Sequence, residues 1–179
     1  MSKNIILNKK EIDIIIQRLA CQLIENHQDF SNTILIGLQP RGKFLLNRLV
    51  EILSTTYNIL NINHGLLDIT FYRDDFRRNE KILEANSTDN IQVEGKKVVF
   101  IDDVLFTGRT IRAALTAVET FGRPKNIELL ILIDRRFSRH LPIQPDYRGR
   151  QIDVYENQKV IVDWNNELGK DCVYIIDKL

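Results

Sequence analysis

Two adjacent carboxylates, Asp102 and Asp103, are followed four residues later by the turn Thr107-Gly108-Arg109-Thr110. The turn has the composition of a phosphate site. Two hydroxyls donate, glycine permits a positive backbone angle and close approach, and a following helix points its first amides at an anion. Carboxylates repel phosphate, so the acid pair suits a different part of the ligand: sugar hydroxyls, or a magnesium ion reached through water. Together they imply a sugar phosphate, although the acid pair alone also fits a plain strand-to-helix loop with a capping side chain. A second short loop, Gln39-Pro40-Arg41-Gly42, places a guanidinium and a glycine between an apolar run and a helical pattern, which makes it another candidate anion site.

The elements that must carry these groups are legible in the apolar pattern. Val98, Val99, Phe100 and Ile101 run without alternation, as in a parallel strand covered on both faces, and this strand is expected to end at the acid pair. Ile111, Ala114, Leu115 and Val118 then recur at helical spacing. Polar groups at the carboxyl end of a strand are where open α/β sheets bind ligands. Asn8 and Glu11 have capping-box spacing ahead of an amphipathic helix expected over residues 9–26. TILIGL at 33–38, LLDITF at 66–71, IELLILI at 127–133, KVIVDW at 159–164 and CVYII at 172–176 read as further strands. Residues 72–90 are polar throughout, the composition of a lid or a disordered loop.

The chain has 179 residues, the length of one domain spanning 1–179, and its formal net charge of +1 gives no general polyanion signal. Its two cysteines, Cys21 and Cys172, lack metal-ligand spacing, and no apolar run matches a signal or a bilayer span, so a cytoplasmic location without membrane contact is expected. Neither a P-loop nor a dinucleotide-binding glycine pattern occurs.

The string VVFIDDVLFTGRT resembles the phosphoribosyl pyrophosphate (PRPP) motif of type I phosphoribosyltransferases. The resemblance implies an α/β fold, a mostly parallel sheet flanked by helices with a small hood built from the chain ends. It assigns Asp102 and Asp103 to the ribose hydroxyls and to Mg2+ held indirectly through PRPP, and Thr107, Gly108, Arg109 and Thr110 to the 5'-phosphate. Gln39, Pro40, Arg41 and Gly42 become the pyrophosphate loop. The polar stretch becomes a closing loop whose Arg73, Arg77 and Arg78 reach pyrophosphate, so that Asp102, Asp103, Arg41 and Arg73 form the catalytic set. A base pocket of Phe106, Asp134 and Val160 is implied as well.

Beyond this motif, DITFYRDD, IDDVLFTGRTIRAAL, FGRP, ILIDRR and LPIQPDYRGR are similar to the PyrR family, pyrimidine-operon regulators that are also uracil phosphoribosyltransferases. The expected reaction is uracil plus PRPP giving UMP and pyrophosphate. Phe106 stands where purine-salvage relatives place an aspartate, and an apolar ring there accepts no proton. The resemblance also implies a homo-oligomer, a dimer, and a messenger-RNA leader hairpin as partner of Arg18, Arg139, His140, Arg148 and Arg150, with Arg135 and Arg136 in the same basic cluster. Two departures bear on these expectations. Gln39-Pro40 replaces the family's Lys-Thr, removing a cation and a hydroxyl and weakening catalysis, and Gln17, Cys21 and Asn26 leave Arg18 without basic neighbours. The alternatives are a UMP-sensing RNA-binding regulator with little catalysis and a PRPP transferase for another base.

Overall fold

A computed structural model describes residues 3–72, 91–164 and 171–177. Among these the element order is β1 (Asn4–Leu7), α1 (Lys9–His27), β2 (Thr33–Leu38), α2 (Gly42–Thr55), β3 (Asn63–Leu67), β4 (Lys97–Leu105), α3 (Arg109–Val118), β5 (Asn126–Arg136), β6 (Tyr147–Asp153), β7 (Gln158–Asp163) and β8 (Cys172–Asp177). A five-stranded sheet has the order β3-β2-β4-β5-β6, and each neighbouring pair in it is parallel. A three-stranded antiparallel sheet, β1-β8-β7, forms the hood from residues near both ends of the chain.

The uninterrupted apolar run of β4 serves two cores. Val99 and Ile101 join one cluster with α1, α2 and the hood, whereas Val98 and Phe100 join a second with Ile111 and Ala114 of α3. All four β4 side chains are fully buried. The capping box of α1 is formed: the Glu11 amide donates to Asn8 Oδ1 at 3.1 Å and the Asn8 amide to Glu11 Oε2 at 2.8 Å.

Several boundaries differ from the expectations. β4 does not end at Asp102 but continues to Leu105, because Asp102, Val104 and Leu105 still pair with Ile131, Ile133 and Asp134 of β5. β5 likewise runs on through Asp134, Arg135 and Arg136, which pair with Gln151, Ile152 and Asp153. β3 lies earlier than LLDITF, since Asp68 Oδ1 accepts from the amide and hydroxyl of Thr70 at 2.8 and 2.6 Å and turns the chain after Leu67. β6 was not anticipated. It is an edge strand with one fully buried side chain, Tyr147, so its sequence carries almost no apolar signal. The polar stretch from residue 73 to 90, with Arg73, Arg77 and Arg78, lies outside the described residues.

The hood is fastened to α2 by a partly buried cluster. Arg48 meets Asp171 Oδ2 at 2.6 Å and lies over the Trp164 ring at 4.4 Å, and that ring stacks on Phe44 with centroids 6.5 Å apart.

Candidate active site

The carboxyl edge of the parallel sheet collects the groups singled out above. A cavity of about 380 Å3 is lined by Asp102, Val104 to Ile111, and His140. Gly108 has φ +90°, a value that favours glycine, and it caps α3 without a side-chain hydrogen bond. The first amides of α3 therefore face the end of this cavity, where an anion is stabilised by the helix terminus. The hydroxyl of Thr107 accepts from the Arg109 amide at a long 3.4 Å. Thus the turn and Asp102 share one cavity.

Asp102 and Asp103 are both buried, and Asp102 Oδ1 accepts from the Asp103 amide at 2.9 Å. Asp103 is bound to the second loop: Arg41 Nε lies 2.6 Å from its Oδ2. Burial nevertheless raises the Asp103 carboxyl above the ordinary carboxylate range, and the nearby Arg41 charge only partly opposes this. Arg41 also donates through its terminal nitrogen to the carbonyl of Val162 in the hood. This guanidinium, half-exposed on its remaining side, connects an acid on β4 with the last strands of the chain.

The loop that carries Arg41 is set by backbone proximity. A Cβ on Gly42 would fall 2.2 Å from the Ile101 carbonyl oxygen, so only glycine fits against β4 there. Gln39 is buried, its amide donates to the Leu67 carbonyl at 3.0 Å, and the Gln39-Pro40 peptide is cis. Pro40 and Arg41 form the exposed tip.

The three expected base-pocket residues do not share a cavity. Phe106, 37% exposed, borders the Thr107–Thr110 turn, and its ring carries the Arg135 guanidinium at 4.0 Å. Asp134 lies in a neighbouring cavity of about 620 Å3, where its buried carboxylate holds Arg139 and, at 3.2 Å, Arg148. Val160, on β7 of the hood, is packed into the core.

The five expected RNA residues also divide. Arg139 and His140 adjoin the Thr107–Thr110 turn: Arg139 donates to the Phe106 carbonyl and the His140 amide to that of Thr107. Arg18, by contrast, reaches across to β6 and donates to the carbonyls of Arg148 and Gly149 at 3.0 and 2.5 Å, while Arg150 donates to the Ile6 carbonyl at 2.7 Å. Arg136 pairs with Asp153 on the surface. The contribution of Val162, Arg135 and the 139–143 segment to this edge had no local signal, since these contacts join residues distant in sequence.

With this geometry in hand, comparison with known proteins assigns the chain. The phosphoribosyl transferase domain matches residues 2–165, and the chain belongs to this family and, within it, to the PyrR proteins. It is 40% identical over 171 residues to the bifunctional protein PyrR of Nostoc punctiforme, covering 96% of this chain and 95% of the relative. To that of Halalkalibacterium halodurans it is 40% identical over 178 residues, covering 97% of each. Among solved structures, the hypoxanthine phosphoribosyltransferase of Trypanosoma cruzi superposes with a TM-score of 0.69 at 20% identity, covering 96% of each chain. A Staphylococcus aureus hypoxanthine phosphoribosyltransferase does so with a TM-score of 0.67 at 18% identity, covering 98% of this chain and 91% of its own. These two likenesses establish the type I phosphoribosyltransferase fold.

Proposed function

We propose that the protein is a uracil phosphoribosyltransferase, forming UMP and pyrophosphate from uracil and PRPP. The observation that carries this is the single cavity in which Asp102 and the Thr107–Thr110 turn meet, beside Asp103 and Arg41. In the transfer, the bond between C1 of the ribose and N1 of uracil forms, the C1–O bond to pyrophosphate breaks, and the N1 proton is released. The turn binds the 5'-phosphate through amides and hydroxyls, and Asp102 and Asp103 accept from the ribose hydroxyls. Arg41 leaves Asp103 to neutralise the departing pyrophosphate, a place where charge develops only as the bond breaks. The relatives' name, bifunctional protein PyrR, supports the pyrimidine assignment.

The residues fit magnesium in one particular way. No group of three or more His, Cys, Asp or Glu side chains is gathered among the described residues, and Asp103 is already paired. A magnesium ion would be held chiefly by the diphosphate, and Asp102 and Asp103 would reach it through water. When bound, it supplies charge neutralisation for the leaving group.

Steady-state assays of uracil, hypoxanthine and guanine with PRPP and magnesium test the reading. Uracil is used and the purines are not, because Phe106 presents no carboxylate to a purine nitrogen. Efficient purine turnover overturns the base assignment. In calorimetry Asp103→Ala loses PRPP affinity, and equal binding by the two proteins removes the ribose role of the acid pair.

A second activity, binding of a pyrimidine-leader RNA hairpin, is favoured by the bifunctional relatives and by Arg148 and Arg150 on the edge strand. Filter binding should then weaken steeply with salt, and Arg148→Ala and Arg150→Ala should each flatten the log-log slope by about one. No binding at low salt, with turnover intact, leaves an enzyme alone. Among the described residues no helix is long and apolar enough to cross a membrane, and both cysteines are free.

A further inference from the structure

The segment after β5 is built around an arginine fork. Arg139 donates through one terminal nitrogen to Asp134 Oδ1 and through the other to the carbonyl of Phe106, the residue preceding Thr107. Asp134 is 2% exposed, and its other oxygen receives Arg148 at 3.2 Å and Gln151 at 3.3 Å, so the carboxylate is fixed from several directions. The next residue, His140, donates its amide to the Thr107 carbonyl at 3.0 Å. One residue further along the turn, the position a Gly108 Cβ would take is 3.4 Å from Leu141 Cβ and 3.2 Å from Ile143 Cδ1. Phe106 and Thr107 are thus held by hydrogen bonds from Arg139 and His140, Gly108 lies close to Leu141 and Ile143, and Arg139 ties that segment to β5.

A turn that binds phosphate through its backbone amides works only if those amides already converge, since ordering them on binding reduces affinity. The planar guanidinium suits this task because it holds two acceptors at fixed separation, which a lysine ammonium does not. We propose that Arg139 is a positioning residue: by bridging Asp134 and the Phe106 carbonyl it preorganises the Thr107–Thr110 turn for the terminal phosphate. This rests on the phosphoribosyltransferase reading of that turn, and it gives Arg139 a role in the nucleotide site in place of the expected contact with RNA.

Two measurements separate this inference from the reading beneath it. Amide hydrogen exchange on the unliganded protein follows the turn itself, and Arg139→Ala should speed exchange of the 106–110 amides about tenfold while leaving β2 and β4 protected. Calorimetry with ribose 5-phosphate, which has no base, should show binding about tenfold weaker in Arg139→Ala and partly restored in Arg139→Lys. Asp134→Asn should weaken binding similarly, and the double variant should be no worse than the weaker single one, because the two residues act as a unit. Arg136→Ala, which removes the surface pair with Asp153 and the contact with the exposed Phe137 ring, serves as control and changes neither readout. Wild-type exchange and wild-type affinity in Arg139→Ala overturn the inference, as does faster exchange with unchanged affinity. If the alanine variant fails to fold, Arg139→Gln gives the same two readouts. Failure of the wild type to bind ribose 5-phosphate, with exchange still dependent on Arg139, overturns the phosphoribosyltransferase reading while the hold on the turn stands.

Discussion

Arg41 and Asp103 face each other at 2.6 Å across the gap between the loop after β2 and the middle of β4, so the loop's cation is held by the site's own acid. The pair is asymmetric, with Asp103 buried and Arg41 half-exposed, and burial leaves the Asp103 carboxyl raised above its usual value of 3.8.

A raised acid favours the folded state at low pH, and this contribution fades as pH climbs through the folded-state value. Asp103→Asn removes the titration. In denaturant titrations across pH, the stability of the asparagine variant relative to wild type should therefore rise from below pH 3.8 toward neutrality. A relative stability that falls over the same window contradicts the assignment.

Gly42→Ala forces a methyl against the Ile101 carbonyl, and backbone on both sides resists it. The variant should lose about 3 kcal/mol in urea unfolding, the upper range for overpacking, and its KM for PRPP should rise as the loop moves from β4. A loss under about 0.5 kcal/mol would mean the loop shifts freely.

At the opposite edge of the sheet the His27 side chain is fully buried, its Nε2 3.1 Å from both the Tyr147 hydroxyl and Glu128, and its Nδ1 3.0 Å from the Thr33 hydroxyl. Burial lowers its pKa below 6.5; Glu128 opposes this and Lys97 adds to it. The unfolded chain then takes up a proton that the folded one refuses, so stability should decline as pH drops below 6.5. His27→Gln should flatten this part of the profile in thermal melts, and an unchanged slope assigns the dependence elsewhere.

Arg48→Ala removes a cation from Asp171 and from the Trp164 face at once. Leaving a buried carboxylate unpaired costs about 3 kcal/mol. Exchange should quicken first in β7 and β8, two of the three strands of the hood, and uniform quickening over all five strands of the parallel sheet would show that the hood is not a separate cooperative unit.

How far the sequence foretold these arrangements depends on the range of the forces involved. Local ones were legible: the capping of α1 by Asn8 and Glu11, the buried strand at 33–38, and the turn at Thr107 to Thr110 followed by α3. Asp102 and Asp103 misled about the end of β4 because polarity normally marks a strand terminus, whereas here the ladder with β5 carries the chain past them. β6 was hidden because an edge strand with only Tyr147 fully buried shows no apolar alternation. Arg18 entered the expected RNA set through the family resemblance alone, and nothing near it in the chain signalled that its guanidinium reaches carbonyls on β6 more than a hundred positions away. Side-chain reach over such separations leaves no periodic trace.

The close approach of Gly42 to Ile101 has a consequence for how this site changes over evolutionary time. The mount of the second anion loop is main chain against main chain, while its tip, Pro40 and Arg41, projects outward. The exposed position 40 can therefore diverge without shifting the distance between that loop and the acid pair, whereas Gln39 is buried beside Leu67. On the proposed reading of the site, exchange of a tip residue tunes turnover, like interchangeable heads on a fixed handle, and a chain under selection for sensing a nucleotide lowers turnover there while the nucleotide pocket stays intact.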